Sequence, residues 1–189
     1  MRKTEIDGTR GERRALLPGS YDPVTAGHMN IIARTAALFD RVIVAVMTND
    51  MHAYVASAQS KQYLFPMEVR VELLRLACAE TKNVTVISGE GRLIDLFDRV
   101  GATVIVKGIR NAQDYAYEQQ HALWNRAHNS RAETLYLPAD PRLDAVSSTR
   151  VREALAKGNI PDEFLPPAVA ERLRQWEREG RFSQGRFRG

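Results

Sequence analysis

Three stretches of the chain gather side chains suited to handling phosphate: 16–30 (LLPGSYDPVTAGHMN), 106–118 (VKGIRNAQDYAYE) and 143–153 (LDAVSSTRVRE). In the first, an apolar run meets Pro18 and Gly19, a short loop follows, and a helix opens at Gly27 and His28. A helix that starts there turns unpaired N–H groups and the positive end of its dipole toward an anion. Gly27 lets an anion approach the backbone, and His28 adds an imidazole donor on the first turn. The second stretch sets Lys107 and Arg110 on either side of Gly108, two cations at a strand end. The third offers the hydroxyls of Ser147, Ser148 and Thr149 at another helix start. Each also has a structural reading: His28 as a helix cap, the cations as a solvated turn, and a hydroxyl as an N-cap. The first loop is neither GxGxxG nor GxxxxGK[ST], so neither a dinucleotide fingerprint nor a Walker A loop is present there.

The elements that must carry these stretches are short apolar strands alternating with helices. Continuous β-branched runs at Ala15–Leu17, Val42–Met47, Val84–Ile87, Thr103–Val106 and Thr134–Leu137 predict buried strands. Between them, Pro66–Glu80 predicts a helix with Val69, Leu73, Leu76 and Ala77 inward and Glu68, Arg70, Glu72 and Arg75 on the other faces. Val169, Leu173 and Trp176 predict a last amphipathic helix after Pro166 and Pro167. The alternation predicts an α/β fold: a Rossmann-like, doubly wound, five-stranded parallel sheet with helices on both faces and a C-terminal helical segment. Ligands of such sheets bind beyond the carboxyl ends of the strands, where all three stretches fall.

The 189 residues, 44% hydrophobic and 26% charged, fit one globular domain. We expect that domain over 14–178, with an N-terminal tail at 1–13 and a basic C-terminal tail at 179–189 (EGRFSQGRFRG) whose two isolated Phe build no core. Lys plus Arg number 27 and Asp plus Glu 23, a net charge of +4 that favours anionic small molecules without demanding nucleic acid. The single cysteine, Cys78, excludes an intrachain disulfide framework and a Cys-rich zinc site, and its apolar helical setting makes it core rather than nucleophile. With no apolar run of transmembrane length and no secretory signal, the expected location is cytoplasmic, without a membrane partner.

Taken together, the loop P-G-S-Y-D-P-x-T-x-G-H, the block K-G-I-R-x-x-x-D-x-x-Y-E and the element V-S-S-T-R-V-R resemble the signatures of bacterial phosphopantetheine adenylyltransferases, of the nucleotidylyltransferase superfamily with its T/HxGH motif. Ser20 stands where that family usually has Thr, Tyr21 where it has Phe, and Lys107 where many members have Arg. The match runs in family order from Arg14 to Val169. It implies transfer of AMP from ATP to 4′-phosphopantetheine, giving dephospho-coenzyme A and pyrophosphate, with Mg²⁺ on the polyphosphate and a homohexameric assembly.

The resemblance also implies residue roles. Ser20, Tyr21 and His28 would bind ATP, as would Gly108, Ile109, Arg110 and Glu118, with Leu143, Asp144, Ala145, Val146, Ser147, Ser148 and Thr149 along the adenine and triphosphate site. Ser20, Leu93, Lys107 and Lys61 would contact phosphopantetheine; His28, Lys61 and Arg110 would be the catalytic set, and no side chain is assigned to a metal. By motif alignment the chain carries an insertion of about nine residues after Asn49. Counted forward from Val46, the family's phosphate-binding Lys falls on His52; counted back from Phe65 it falls on Lys61, which keeps the residue type. The nearest rivals are the same chemistry on another acceptor, such as nicotinamide mononucleotide or choline phosphate, and a nucleotide-fold module that binds RNA or senses a ligand without turnover.

Overall fold

The computed structural model describes residues 11–48, 62–183 and 186–188. Five parallel strands, β1 (Arg14–Gly19), β2 (Arg41–Met47), β3 (Val84–Gly89), β4 (Val104–Ile109) and β5 (Thr134–Pro138), form one sheet in the order β3-β2-β1-β4-β5. Helices α1 (Ala26–Leu38), α2 (Met67–Cys78), α3 (Leu93–Arg99), α4 (Ala112–His128), α5 (Ser148–Ala156) and α6 (Pro167–Arg178) connect and follow them. The expected sheet and its five strands are all present, each lengthened by a residue or more.

Period-two alternation divides the core between the two sheet faces. Ala15, Leu17, Val42, Val44 and Val46 share one cluster with side chains of α1, α2, α5 and α6. Leu16, Ala45 and Ile105 share the other with Ile94, Leu96 and Phe97 of α3, against which Trp124 of α4 packs. Helices on both faces explain why the strands read as unbroken apolar runs.

The order of strands sets the position of the site. After β3 the chain crosses back to place β4 on the opposite side of β1, so the order reverses between β1 and β4. β1 pairs with β2 through all six of its residues, but with β4 only at Ala15↔Val104 and Leu16↔Ile105. The sheet therefore opens between Leu17–Gly19 and the end of β4, and a crevice forms there.

Two expectations change. In α2 the inward stripe is rotated: Arg70, Val71, Leu73, Leu74 and Cys78 are buried, whereas Val69, Leu76 and Ala77 are only half-buried. An arginine can face inward because backbone carbonyls receive its donors. The segment expected as a coreless C-terminal tail carries a small antiparallel pair, β6 (Phe182–Ser183) and β7 (Arg186–Phe187), with Phe182 opposite Phe187. Phe182 is 2% exposed, and both rings meet Phe65, at 5.8 Å each. Two phenylalanines isolated in sequence become cross-strand neighbours, and the partner cluster of Phe65 and Trp176 is supplied by other elements. Cys78 is buried as expected, and burial pushes its thiol up to about 11.

Candidate active site

A cavity of about 580 Å³ occupies the crevice, walled by the ends of β1 and β4, the start of α1, one face of α4 and the start of α5. Its floor is the 18–25 loop, which buried groups hold from behind. Arg70, 2% exposed, donates from Nη1 to the Ser20 carbonyl at 2.8 Å and from Nε to the Phe65 carbonyl at 3.1 Å. Burial pulls the Arg70 pKa down, and the Asp22 carboxylate partly offsets this. Asp22, wholly buried, accepts from the backbone N–H groups of Leu64 (2.8 Å) and Phe65 (2.9 Å). Arg152 donates to the Asp22 carbonyl at 2.7 Å, and Ser148 Oγ donates to the Pro23 carbonyl at 2.9 Å, tying α5 to the same loop. Within the loop Tyr21 sits at φ 45°, left-handed backbone that a bulky residue occupies only when its surroundings compel it. Its buried ring leaves no room beside Gly19, where an added Cβ would come within 2.8 Å of Tyr21 Cε2.

His28 turns out to be a cap and a wall residue at once. Thr25 caps α1, and the Thr25 backbone N–H donates to His28 Nδ1 at 3.1 Å, completing a capping box. A ring nitrogen that accepts carries no proton, so this bond selects the tautomer protonated at Nε2. The ring edge away from the helix thus bears a donor, and His28 lines the cavity. Tyr21 packs edge-on against the imidazole at 5.0 Å between ring centres and fixes its plane.

The two cations of the second stretch are each matched to a carboxylate on α4. Lys107 Nζ lies 3.0 Å from Glu118 Oε2, and Arg110 Nε lies 2.8 Å from Asp114 Oδ2. Asp114 and Glu118 are one helical turn apart, so a single face of α4 answers both cations. Burial opposes ionisation of Glu118, yet His121 and Lys107 outweigh it and hold the carboxyl at about 2. Gly108 is required by the fold itself: an added Cβ would meet Ile31 Cγ1 of α1 at 2.8 Å.

The third stretch divides its hydroxyls. Ser147 is the N-cap of α5 and accepts from the Arg150 N–H, Ser148 holds the 18–25 loop, and Thr149 accepts from Arg152 at 3.1 Å. All three still line the cavity.

The chain is similar to known proteins over most of its length. The cytidylyltransferase-like family model matches residues 16–154, which takes in all three stretches up to Ala154. A phosphopantetheine adenylyltransferase from Caldanaerobacter subterraneus subsp. tengcongensis is 41% identical over 161 residues, 85% of this chain and 95% of that protein. One from Nocardioides sp. is 42% identical over 160 residues, 85% of this chain and 94% of the relative. The chain belongs to the cytidylyltransferase-like family, among its phosphopantetheine adenylyltransferases. A solved structure from Vibrio parahaemolyticus, assigned as a nicotinate-nucleotide adenylyltransferase, shares the fold with a TM-score of 0.64 at 18% identity, covering 87% of this chain and 93% of that one.

Of the residues expected at the site of this nucleotidyltransferase, Ser20, Tyr21, His28, Leu93, Lys107, Gly108, Arg110, Glu118, Leu143, Val146, Ser147, Ser148 and Thr149 line one cavity. Ile109, Asp144 and Ala145 lie off its wall. Lys61 and His52 lie outside the described residues. Sequence reasoning missed Arg70 and Arg152, and also the cavity face of α4 formed by Tyr117, His121, Trp124 and Asn125. That face was present in the sequence as a stripe at i, i+4, i+7 and i+8 of mixed ring and amide side chains, which a search for purely apolar periodicity passes over.

Proposed function

We propose that the protein transfers AMP from ATP to the phosphate of 4′-phosphopantetheine, giving dephospho-coenzyme A and pyrophosphate. The observation that carries this reading is the capping box. It selects the Nε2-protonated tautomer of His28 in the wall of a cation-lined cavity, in a chain that belongs to this family. An oxygen of the acceptor phosphate attacks the α-phosphorus of ATP, the bond to the bridging oxygen breaks, and pyrophosphate leaves with that electron pair. The nucleophile is already an anion, so no strong general base is required. The barrier lies in bringing anions together and in neutralising the equatorial oxygens.

The His28 Nε2–H donates to the α-phosphoryl oxygens as charge develops there. Arg110 and the hydroxyl-bearing start of α5 hold the polyphosphate, Lys107 and Leu93 hold the acceptor, and Lys61 guides the acceptor phosphate. Among the described residues no three His, Cys, Asp or Glu side chains gather into a metal cage. A Mg²⁺ bound with ATP would neutralise charge on the leaving pyrophosphate beside Arg110 and the start of α5.

Among the described residues no helix is long and apolar enough to cross a membrane, and a cytoplasmic location suits the chemistry. Leu123 of α4 and Leu135 of the edge strand β5 are 64% and 49% exposed, apolar surface that a homohexamer would cover; light scattering of the purified protein tests the assembly. Pyrophosphate release tests the function: rapid release is expected with ATP and 4′-phosphopantetheine. Release only with nicotinamide mononucleotide would refute the acceptor, and release with neither would refute the reaction.

A further inference from the structure

Beside Lys107 the cavity wall holds two ionisable side chains, Glu118 and His121, to which the proposed reaction gives no step. Glu118 Oε2 is shared by two groups, Lys107 Nζ at 3.0 Å and His121 Nδ1 at 3.6 Å. The three side chains are 14–20% exposed, and all three line the cavity. Oε2 itself is shielded from solvent, and Lys107 and His121 both face it. His121 is also pinned by its neighbour: the Tyr117 ring packs on it with centroids 4.3 Å apart. From β5, Tyr136 Oη reaches the Glu118 carbonyl at 3.4 Å, and Arg92, ahead of α3, lines the same cavity. Among the described residues, Glu118 and Tyr117 of α4 contact the imidazole, Lys107 of β4 shares the Glu118 oxygen with it, Tyr136 of β5 reaches the Glu118 backbone, and Arg92 before α3 lines the same cavity.

We propose that His121 is a positioning residue for the acceptor: it takes a proton from solvent when Lys107 turns from Glu118 toward the acceptor phosphate, and so keeps Glu118 compensated. The inference rests on the proposed function, in which Lys107 holds the acceptor, and adds that its ammonium answers the acceptor's phosphate beside Lys61. Lys107 is the permanent cation beside the Glu118 carboxylate. When a phosphate dianion arrives, the ammonium stands between two anionic groups in a partly desolvated wall, where like charges repel strongly. An imidazole at 3.6 Å from the same oxygen is the side chain best able to supply a second positive charge near neutral pH, by binding one proton. By linkage, acceptor binding raises the proton affinity of His121, and protonated His121 raises acceptor affinity by the same factor. Glu118 is also among the residues that the resemblance sets beside ATP, but the group that moves is Lys107, assigned to the acceptor, so ATP lies outside this coupling.

The acceptor phosphate also titrates, with a second pKa of about 6, and its growing charge tightens binding as pH rises. The informative quantity is therefore the ratio of acceptor KM in a variant to that in the wild type, in which the acceptor's own titration cancels. We measure that ratio for His121→Gln from about pH 5.5 to about pH 8.5, the range over which imidazoles change charge. It should be about fivefold at the acid end and fall toward unity at the basic end, with ATP KM steady. Calorimetry of 4′-phosphopantetheine binding in buffers of differing ionisation heat should show proton uptake by the wild type that exceeds uptake by the variant. His121→Lys, a permanent cation, should keep acceptor KM low at the basic end, and it carries the test if the Gln variant does not fold. A pH-independent ratio, equal proton uptake, or a parallel rise in ATP KM would overturn the proposal. Lys107→Ala separates the two levels. If it leaves acceptor KM unchanged, the Lys107 assignment itself is wrong; if it raises KM while the His121 ratio stays flat, only the coupling fails.

Discussion

The double role of His28 can be pulled apart by two substitutions. His28→Ala removes both the acceptor for the Thr25 N–H and the donor at the cavity. Thr25 is 1% exposed, so its N–H, now 3.1 Å from Nδ1, would find little water in exchange. A buried donor left unpaired costs about 1–2 kcal/mol, which for a chain of this size lowers Tm by roughly 2–8 °C. Turnover should fall by about 10²- to 10³-fold, the usual effect of deleting a donor that acts mainly in the transition state. His28→Gln should behave differently. Thr25 followed three residues later by Gln is again a capping box, in which the amide oxygen accepts from the Thr25 N–H. Stability should return to within about 0.5 kcal/mol of wild type, while turnover stays low because the amide NH₂, on a flexible stem, does not reproduce the fixed direction of the imidazole Nε2–H. Urea denaturation and kcat under saturating substrates read the two roles separately. Full turnover in the Ala variant, or recovery of turnover along with stability in the Gln variant, would refute the reasoning.

Arg110→Ala should raise ATP KM and slow turnover, whereas Lys107→Ala should chiefly raise acceptor KM; equal effects of both on both substrates would mean one undivided anion field. Lys61→Ala should impair use of 4′-phosphopantetheine far more than His52→Ala at neutral pH, since only lysine is a constant cation, and steady-state kinetics of the pair decides the alignment. Phe182→Ala should destabilise by about 3 kcal/mol in urea denaturation, as for other buried phenylalanines, and a change below about 0.5 kcal/mol would mean that the C-terminal strand pair adds nothing to the core. Glu118 ionises at about 2 in the fold against 4.5 otherwise, so its stabilisation is complete above the higher value and is lost as pH falls through the lower one. Glu118→Gln should therefore cost more stability at about pH 7 than at about pH 2.5, checked by denaturant titration at both.

Much of this architecture was legible because a doubly wound sheet writes itself plainly. Runs such as Val42–Met47, buried on both faces, are long and β-branched, and the three polar stretches fall at strand ends, where such sheets bind ligands. The placement of Arg70 was not legible: a charged residue in an amphipathic helix reads as solvent-facing unless one knows that the Ser20 and Phe65 carbonyls wait for it. Phe182 and Phe187 escaped for a related reason, since periodicity examines one segment while their partners Phe65 and Trp176 arrive from elsewhere. The readings of His28 as cap and as site residue were not alternatives; the Nδ1 contact satisfies the cap and thereby orients the other nitrogen. Ser147 likewise caps α5 and lines the cavity.

The central claim is that the acceptor phosphate attacks the α-phosphorus directly in this cavity. It is tested most directly by running the reaction with 4′-phosphopantetheine labelled with ¹⁸O in its phosphate and weighing both products by mass spectrometry. Direct attack predicts that all of the label appears in dephospho-coenzyme A, that the pyrophosphate is unlabelled, and that the two products form in equal amounts. Label in pyrophosphate, or pyrophosphate formed at the same rate without acceptor, would contradict the account.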